Sequence, residues 1–169
     1  MENTTKYKLS STLKKLLLKK DIEKITIGEI AQEASVNRQT FYYHFKDIYD
    51  LVEWIYMNEI IKELKIDVFN DWEKSCDFTL NYILKNKNFI SKTYKISSLD
   101  NFIYNQIYDQ IFKKENKLFK NSKVDIDFMT RFYSHAFIGI ISDWIKNGMK
   151  ETPEQITKSI SKIINNTIK

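Results

Sequence analysis

Residues 26–46 read TIGEIAQEASVNRQTFYYHFK, and this stretch decides the fold. It contains two short helical patterns separated by a tight turn. The second pattern interleaves polar side chains, which can donate hydrogen bonds to base edges and phosphates, with apolar residues that can hold a helix against two others. This arrangement is typical of a helix-turn-helix, in which the second helix enters the major groove of DNA.

The helices around this turn carry their own start signals. Thr26, with Glu29 three residues later, predicts a capping box at the start of the second helix. Asn37 is expected to cap the third helix and Asp47 the fourth, because their side-chain oxygens can accept free backbone N–H groups. A first amphipathic helix is predicted over residues 5–20, where leucines recur at helical spacing. The predicted core positions are Leu9, Leu13, Leu16, Leu17, Ile27, Ile30, Ala31, Ala34, Val36, Phe41, Phe45, Leu51, Ile55 and Ile61.

Glycine and proline are scarce, since the 169 residues contain 3 Gly and 1 Pro. Strand-rich folds need frequent turns from these residues, so the composition favours long helices. The sequence therefore predicts an all-α fold of about nine helices. A three-helix helix-turn-helix domain is expected at residues 1–50 and a helical regulatory and dimerisation domain at residues 51–169. Beyond the fourth helix, helical patterns lie at roughly 70–86, 88–95, 98–118, 126–148 and 153–168.

The lone cysteine and the lack of long apolar runs limit the functional classes. Cys76 is the single cysteine, which excludes an internal disulfide framework and a multi-cysteine zinc site. No signal-peptide core occurs and no apolar run approaches the ~20 residues that span a bilayer, so we expect a cytoplasmic protein without membrane contact. His44 and His135 are not at metal-ligand spacing, and no phosphate loop or nucleophile elbow occurs. We therefore expect no enzyme, no cofactor and no metal.

The predicted recognition helix carries side chains that match base edges. Arg38 can bond a guanine and Gln39 an adenine, each through two hydrogen bonds, and Thr40 can bond a phosphate or contact a thymine methyl. The net charge of +5 is compatible with a polyanionic partner. The alternative is a small three-helix domain whose polar face is only solvated. The predicted DNA-binding residues are Thr26, Gly28, Asn37, Arg38, Gln39, Thr40, Tyr42, Tyr43, His44 and Lys46.

Three segments, residues 26–31, 34–38 and 40–46, carry a wider pattern whose core reads Thr-aromatic-Tyr-x-x-Phe-Lys. With them, residues 9–53 resemble the N-terminal DNA-binding domain of the TetR family of bacterial transcription regulators. Ser35 stands where this family usually has Gly, and if the position requires a positive φ, a serine is strained there. The chain also lacks a basic residue that often follows the pattern, which leaves one phosphate contact of the family without its residue.

The last two predicted helices carry wide apolar bands. The helix at 126–148 is apolar over more than one core face, which favours a partner outside its own subunit. The family resemblance implies that these helices pair with those of a second subunit in a four-helix bundle. The alternative is that both helices are buried within their own subunit. The predicted dimer-interface residues are Phe137, Ile140, Ile141, Trp144, Ile156, Ile160, Ile163 and Ile164.

The resemblance also implies an effector site in the C-terminal helices. Aromatic residues recur there at helical spacing, where they can line a pocket or form ordinary core. Residues 132–149 with 152–154 resemble a subgroup that includes regulators associated with dihydroxyacetone kinase genes, some of which respond through a partner protein. The effector is therefore expected to be a small molecule or a partner protein. The predicted pocket residues are Tyr82, Phe89, Tyr94, Phe102, Tyr108, Phe112, Phe132 and His135.

Together these features predict a homodimeric regulator that binds an operator in double-stranded DNA. Its two recognition helices would read half-sites about 34–36 Å apart on a near-palindrome. Repression is the family default, and an effector or partner protein would control DNA affinity. Three alternatives stay open: an activator that acts with a partner protein, a helical protein-interaction module that does not bind DNA, and a regulator whose C-terminal domain only dimerises.

Overall fold

The computed structural model describes residues 2–62, 72–105, 108 and 125–167, and all regular structure in this part of the chain is helical. The predicted all-α fold of about nine helices is confirmed. None of the described helices is long and apolar enough to cross a lipid bilayer. The helices are α1 (Glu2–Leu17), α2 (Ile27–Glu33), α3 (Arg38–His44), α4 (Ile48–Ile55), α5 (Trp72–Lys85), α6 (Lys87–Thr93), α7 (residues 99–105), α8 (Ile126–Lys146) and α9 (Pro153–Thr167).

The chain divides into two compact units. The first unit consists of Met1–Glu63 together with Asn88–Ser98, and the second of Leu64–Lys87 together with Leu99–Lys169. Most of α6 therefore packs with the N-terminal helices, although it is separated from them in sequence. The predicted functional division after residue 50 stays a prediction.

The first unit begins its helices at the predicted caps. Thr26 Oγ1 accepts the backbone N–H of Glu29 at 3.2 Å, and the Glu29 carboxylate accepts the backbone N–H of Thr26 at 3.0 Å. Asn37 Oδ1 accepts the Thr40 N–H at 2.7 Å, and Asp47 caps α4 in the same way. These three helix starts are confirmed. By contrast, α1 begins and ends three residues earlier than the predicted 5–20.

The core of the first unit forms where α1 to α4 meet, and α6 adds to it. The Tyr56 hydroxyl, which follows α4, bonds Thr93 Oγ1 at 2.9 Å, and its ring packs on Phe89. Lys92 Nζ donates at 2.8 Å to the carbonyl oxygen of Leu17, which caps the C-terminal end of α1, and at 3.1 Å to that of Lys20 in the following turn. Core side chains that exclude nearly all solvent are Leu9, Leu13, Leu17, Ile30, Ala31, Ala34, Phe41, Phe45, Leu51, Val52 and Ile55.

The turn between α2 and α3 is closed by a left-handed residue. Ser35 has φ +50°, its N–H donates to Gln32 O at 2.9 Å, and the Val36 N–H donates to Ala31 O at 2.9 Å. These two bonds form a Schellman motif, which normally places glycine at this position. The strain predicted for Ser35 is therefore present in the structure.

The second unit is built around the packing of α5 on α9, and it buries side chains from the C-terminal part of α8. Cys76 is buried on α5, where the Thr157 hydroxyl donates to its sulfur at 3.5 Å. Burial raises the pKa of the Cys76 thiol to about 11. Pro153 occupies the first turn of α9, as the sequence predicted, and Gly148 ends α8 with φ +81°.

Candidate nucleic-acid interface

The third helix has two chemically different sides. Phe41 and the following Phe45 are buried against the other helices of the first unit, whereas Arg38 and Gln39 are exposed. Tyr42 and Tyr43 retain 58% and 76% exposure, although aromatic side chains usually bury most of their surface. The exposed side of α3 is thus polar and aromatic, which is the chemistry that contacts bases, sugars and phosphates.

Two of the predicted DNA-binding side chains, Thr26 and Asn37, also serve as helix caps, and a third, Thr40, bonds the Asn37 cap. Asn37 Oδ1 accepts both the N–H and, at 2.9 Å, the hydroxyl of Thr40, so the amide nitrogen is the free end of this side chain. Thr40 is half-buried. The Thr26 hydroxyl donates to Glu29 Oε2 at 3.1 Å. These bonds fix the starts of α2 and α3, which orients the residues that follow.

The end of α3 places a histidine and a lysine beside the tyrosines. His44 is half-buried and its ring meets the Tyr43 ring edge-on at 4.9 Å. Its Nδ1 is buried and has no hydrogen-bond partner within the described residues. Lys46 is exposed, and its backbone N–H donates to Asp50 Oδ2 at 2.9 Å, which anchors the residue between α3 and α4.

Tyr49 is a further candidate for DNA contact and was not among the predicted DNA-binding residues. Tyr49 lies in the first turn of α4, and its side chain is exposed. An aromatic residue two positions after the Asp47 cap and three after Lys46 was the signal that could have identified it. Its hydroxyl is a candidate for the phosphate contact that the missing basic residue does not supply.

The predicted pocket residues are distributed over both units. Phe89 and Tyr94 are buried in the first unit. In the second unit, Phe132 and His135 line a shallow depression of about 470 Å³ on α8, and the Tyr108 hydroxyl donates to Asp127 at 2.7 Å. A larger open groove of about 1230 Å³ between α5 and α9 contains none of the predicted pocket residues. Phe112 lies outside the described residues, while Tyr82 and Phe102 are half-buried.

The predicted dimer-interface residues separate into two groups. Ile141, Trp144 and Ile156 are buried within the second unit, with 0%, 3% and 8% of their surface exposed, so they pack in the protomer's own core and their place in a dimer interface stays a prediction. Ile140 and Ile163 are exposed. Phe137 and Ile160 are half-buried, and the side chain of Ile164 lies outside the described part of the chain. Phe128 and Phe132, both exposed on α8, were not predicted as interface residues.

Known protein families match both the N-terminal and the C-terminal part of the chain. Bacterial regulatory proteins of the tetR family match residues 11–55, and a transcriptional regulator C-terminal region, TetR_C_8, matches residues 70–166. The HTH-type dhaKLM operon transcriptional activator DhaS of Lactococcus lactis subsp. lactis (strain IL1403) is 23% identical over 167 residues, covering 93% of this chain and 85% of that protein. An HTH-type transcriptional regulator of Staphylococcus aureus (strain bovine RF122 / ET3-1) is 26% identical over 128 residues, covering 66% and 69%.

Two solved structures share the fold over almost the whole chain. The dihydroxyacetone kinase operon activator DhaS has a TM-score of 0.70 at 24% identity, covering 97% of this chain and 96% of that one. NalD, the secondary repressor of the MexAB-OprM multidrug efflux pump in Pseudomonas aeruginosa, has a TM-score of 0.69 at 13% identity, covering 97% and 95%.

A helix-turn-helix with an exposed polar recognition side, followed by further helices that match a regulator C-terminal region, defines a DNA-binding transcription regulator. The chain belongs to the TetR family of bacterial regulatory proteins, because the C-terminal match alone spans more than half of its length. The predicted family and the predicted role as a DNA-binding regulator are confirmed.

Proposed function

We propose that the protein is a homodimer whose two α3 helices read the half-sites of a near-palindromic operator. The observation that carries this proposal is that α3 has a buried apolar side, formed by Phe41 and continued by Phe45 just after the helix, and an exposed polar side that begins with Arg38 and Gln39. A two-fold symmetric dimer presents two such sides to successive major grooves, about 34–36 Å apart.

Within each half-site the exposed residues have separate roles. Arg38 and Gln39 read bases, because their side chains can make two hydrogen bonds each to a guanine and an adenine. Tyr42, Tyr43 and Lys46 contact phosphates and sugars and fix the register of the helix. Thr40, whose hydroxyl is held by the Asn37 cap, presents its methyl group to a thymine.

Dimerisation is proposed to use α8 and α9. Phe132 on α8 is 60% exposed and Ile163 on α9 is 62% exposed, and Ile140 adds a further apolar side chain. Ile163→Asp should therefore shift the protein from dimer to monomer in sedimentation equilibrium, because the new carboxylate would be desolvated in the interface. Unchanged dimerisation in both Ile163→Asp and Phe132→Asp would exclude these helices as the interface.

The direction of control has two candidates. Repression is the first, with an effector or partner protein at the second unit lowering operator affinity by favouring a different conformation. Activation is the second, because the relative that covers 93% of the chain is named a transcriptional activator. Deleting the gene and measuring transcripts of its chromosomal neighbours separates them: transcripts rise when a repressor is lost and fall when an activator is lost.

The DNA-binding proposal is tested by selecting bound duplexes from random DNA and measuring their affinity at increasing salt. Arg38→Ala and Tyr42→Ala should each weaken binding to the selected duplex about tenfold or more. Lys150→Ala is the control, since it removes one exposed positive charge outside α3. Unchanged affinity in both α3 variants would contradict the recognition helix. No salt-dependent binding to any duplex would favour a protein-interaction module.

A further inference from the structure

Gly28 on α2 and Arg38 on α3 approach each other closely. A Cβ atom built on Gly28 would overlap Nη2 of Arg38 and would lie 3.1 Å from its Cζ and its Nε. The guanidinium group therefore occupies the space that any side chain at position 28 would need. Only glycine lets the arginine lie in this place.

This contact distinguishes Gly28 from the other two glycines of the chain. A Cβ atom built on Gly139 or Gly148 meets nothing within 4 Å. Gly28 lies within α2, a helix of only 7 residues, where alanine would stabilise the helix more than glycine does. The helix alone gives no reason for a glycine at this position, whereas the arginine beside it does.

Arg38 has nothing else that holds its side chain. It is exposed at the first position of α3, and among the residues that the structure describes it has no hydrogen bond and no ion pair. A free arginine side chain loses much rotamer entropy when it binds. A guanidinium that already rests on α2 has fewer orientations to lose, and its charge is not neutralised by a carboxylate.

We propose that Gly28 is a positioning residue for Arg38. Because it lacks a side chain, it lets the guanidinium lie on α2 and so sets the direction from which Arg38 approaches the DNA. This inference rests on the proposed function, in which Arg38 contacts the operator. It gives Gly28 a role in specificity through Arg38, whereas a direct role as one of the predicted DNA-binding residues would act through the backbone N–H of Gly28 at the start of α2.

A double-mutant cycle on the full-length protein tests the inference. The variants are Gly28→Ala, Arg38→Ala and the double variant, and the probe is the duplex that the wild-type protein selects from random DNA. Gly28→Ala should weaken binding about three- to tenfold, because Arg38 is displaced and must be ordered on binding. The same change should cause no further loss when position 38 is already alanine. Gln32→Ala, an exposed change on the same helix, should have no effect.

Stability and sequence preference give independent readouts. The thermal unfolding midpoint of Gly28→Ala should equal or exceed that of the wild type, since alanine favours the helix. A repeated selection with Gly28→Ala should relax only those base pairs that Arg38→Ala also relaxes. A merely structural role for Gly28 would not produce this match.

Two results would overturn the inference and leave the proposed function intact. One is equal weakening by Gly28→Ala in the presence and absence of Arg38, which would assign the effect to the backbone of Gly28. The other is unchanged operator affinity in Gly28→Ala. If Arg38→Ala itself binds the operator as tightly as the wild type, the proposed base-reading role of Arg38 fails, and the inference fails with it.

Discussion

At the scale of single residues, Ser35 and Gly148 make an informative pair. Both stand at the left-handed position of a Schellman motif, Ser35 after α2 and Gly148 after α8. Glycine adopts this conformation without a clash, whereas a Cβ atom costs about 1–2 kcal/mol there. The turn of the DNA-reading motif is therefore held by its surroundings against a local preference at Ser35. In the turn after α8 the glycine meets no such preference, and the left-handed non-glycine residue is the next one, Met149, with φ +54°.

Ser35→Gly should raise the free energy of unfolding. The expected gain is about 0.5–1 kcal/mol, because removal of the Cβ clash is partly offset by the greater entropy of glycine in the unfolded chain. Urea unfolding followed by circular dichroism measures it. Gly148→Ser is the reciprocal variant and should lower stability by a similar amount. A loss of stability in Ser35→Gly would show that Ser35 is not strained.

The buried thiol of Cys76 gives a prediction with a defined pH dependence. Burial raises its pKa from 9.0 to about 11, so the folded protein holds the neutral thiol at pH values where an unfolded chain forms the thiolate. Reaction with Ellman's reagent at pH 8 should therefore be slow in buffer and fast in urea. Since the folded-state pKa is the higher one, this group lowers stability as the pH rises from 9 towards 11. Rapid stoichiometric labelling of the folded protein would contradict the burial of Cys76.

Among the helices, α6 has a structural task that its position in the sequence does not reveal. Lys92 Nζ donates to the carbonyl oxygen of Leu17, the last residue of α1, and to that of Lys20 in the turn that follows, and it lies 3.3 Å from Asp21 Oδ1. The exposed ion pair contributes little, but the bonds to the carbonyl oxygens are charge-assisted, and the helix dipole favours a cation at the C-terminal end of α1. α6 thereby fixes the helix against which α2 and α4 pack.

Lys92→Met should destabilise the first unit by about 1–2 kcal/mol, because the apolar stem is retained while the two carbonyl groups lose their donor. The midpoint of urea unfolding measures the change. Lys95→Met is the matched control, since Lys95 is exposed a few residues further along the same segment. Equal midpoints for the two variants would mean that the hydrogen bonds of Lys92 contribute nothing measurable to the free energy of unfolding.

The starts of helices that are set by local chemistry could be predicted from the sequence. Thr26, Asn37 and Asp47 fixed the starts of α2, α3 and α4, because a cap binds a backbone N–H only three residues away. The position of α1 was wrong by three residues, since Asn3, Thr4 and Thr5 offer several possible caps and the helix begins before all of them. The burial of Ile141 and Trp144 in the protomer's own core could not be predicted, because an apolar band on both sides of a helix does not indicate which side meets that core. The joining of α6 to the first unit depends on contacts between distant parts of the chain, which no local pattern encodes.

For the whole molecule, the salt dependence of operator affinity should report the number of phosphate contacts. Lys46→Ala should weaken binding to every duplex by a similar factor. It should also reduce the slope of log K against log salt by about 2 per dimer, because each subunit loses one released counterion. Lys150→Ala, which removes the same charge outside α3, should leave the slope unchanged. A change in base preference in Lys46→Ala would instead assign this lysine to base reading.

The two-piece composition of the first unit has a consequence for building hybrids between relatives. A hybrid could be made by joining this chain's N-terminal part to a relative at a single point near residue 63. Such a hybrid would contain Tyr56 without the Thr93 hydroxyl that it bonds, and α1 without Lys92. A hybrid that keeps the first unit intact must contain two separate segments of this chain, residues 1–63 and 88–98. A hybrid that takes the first unit from this protein should therefore also take the short piece of the chain that follows α5, residues 88–98.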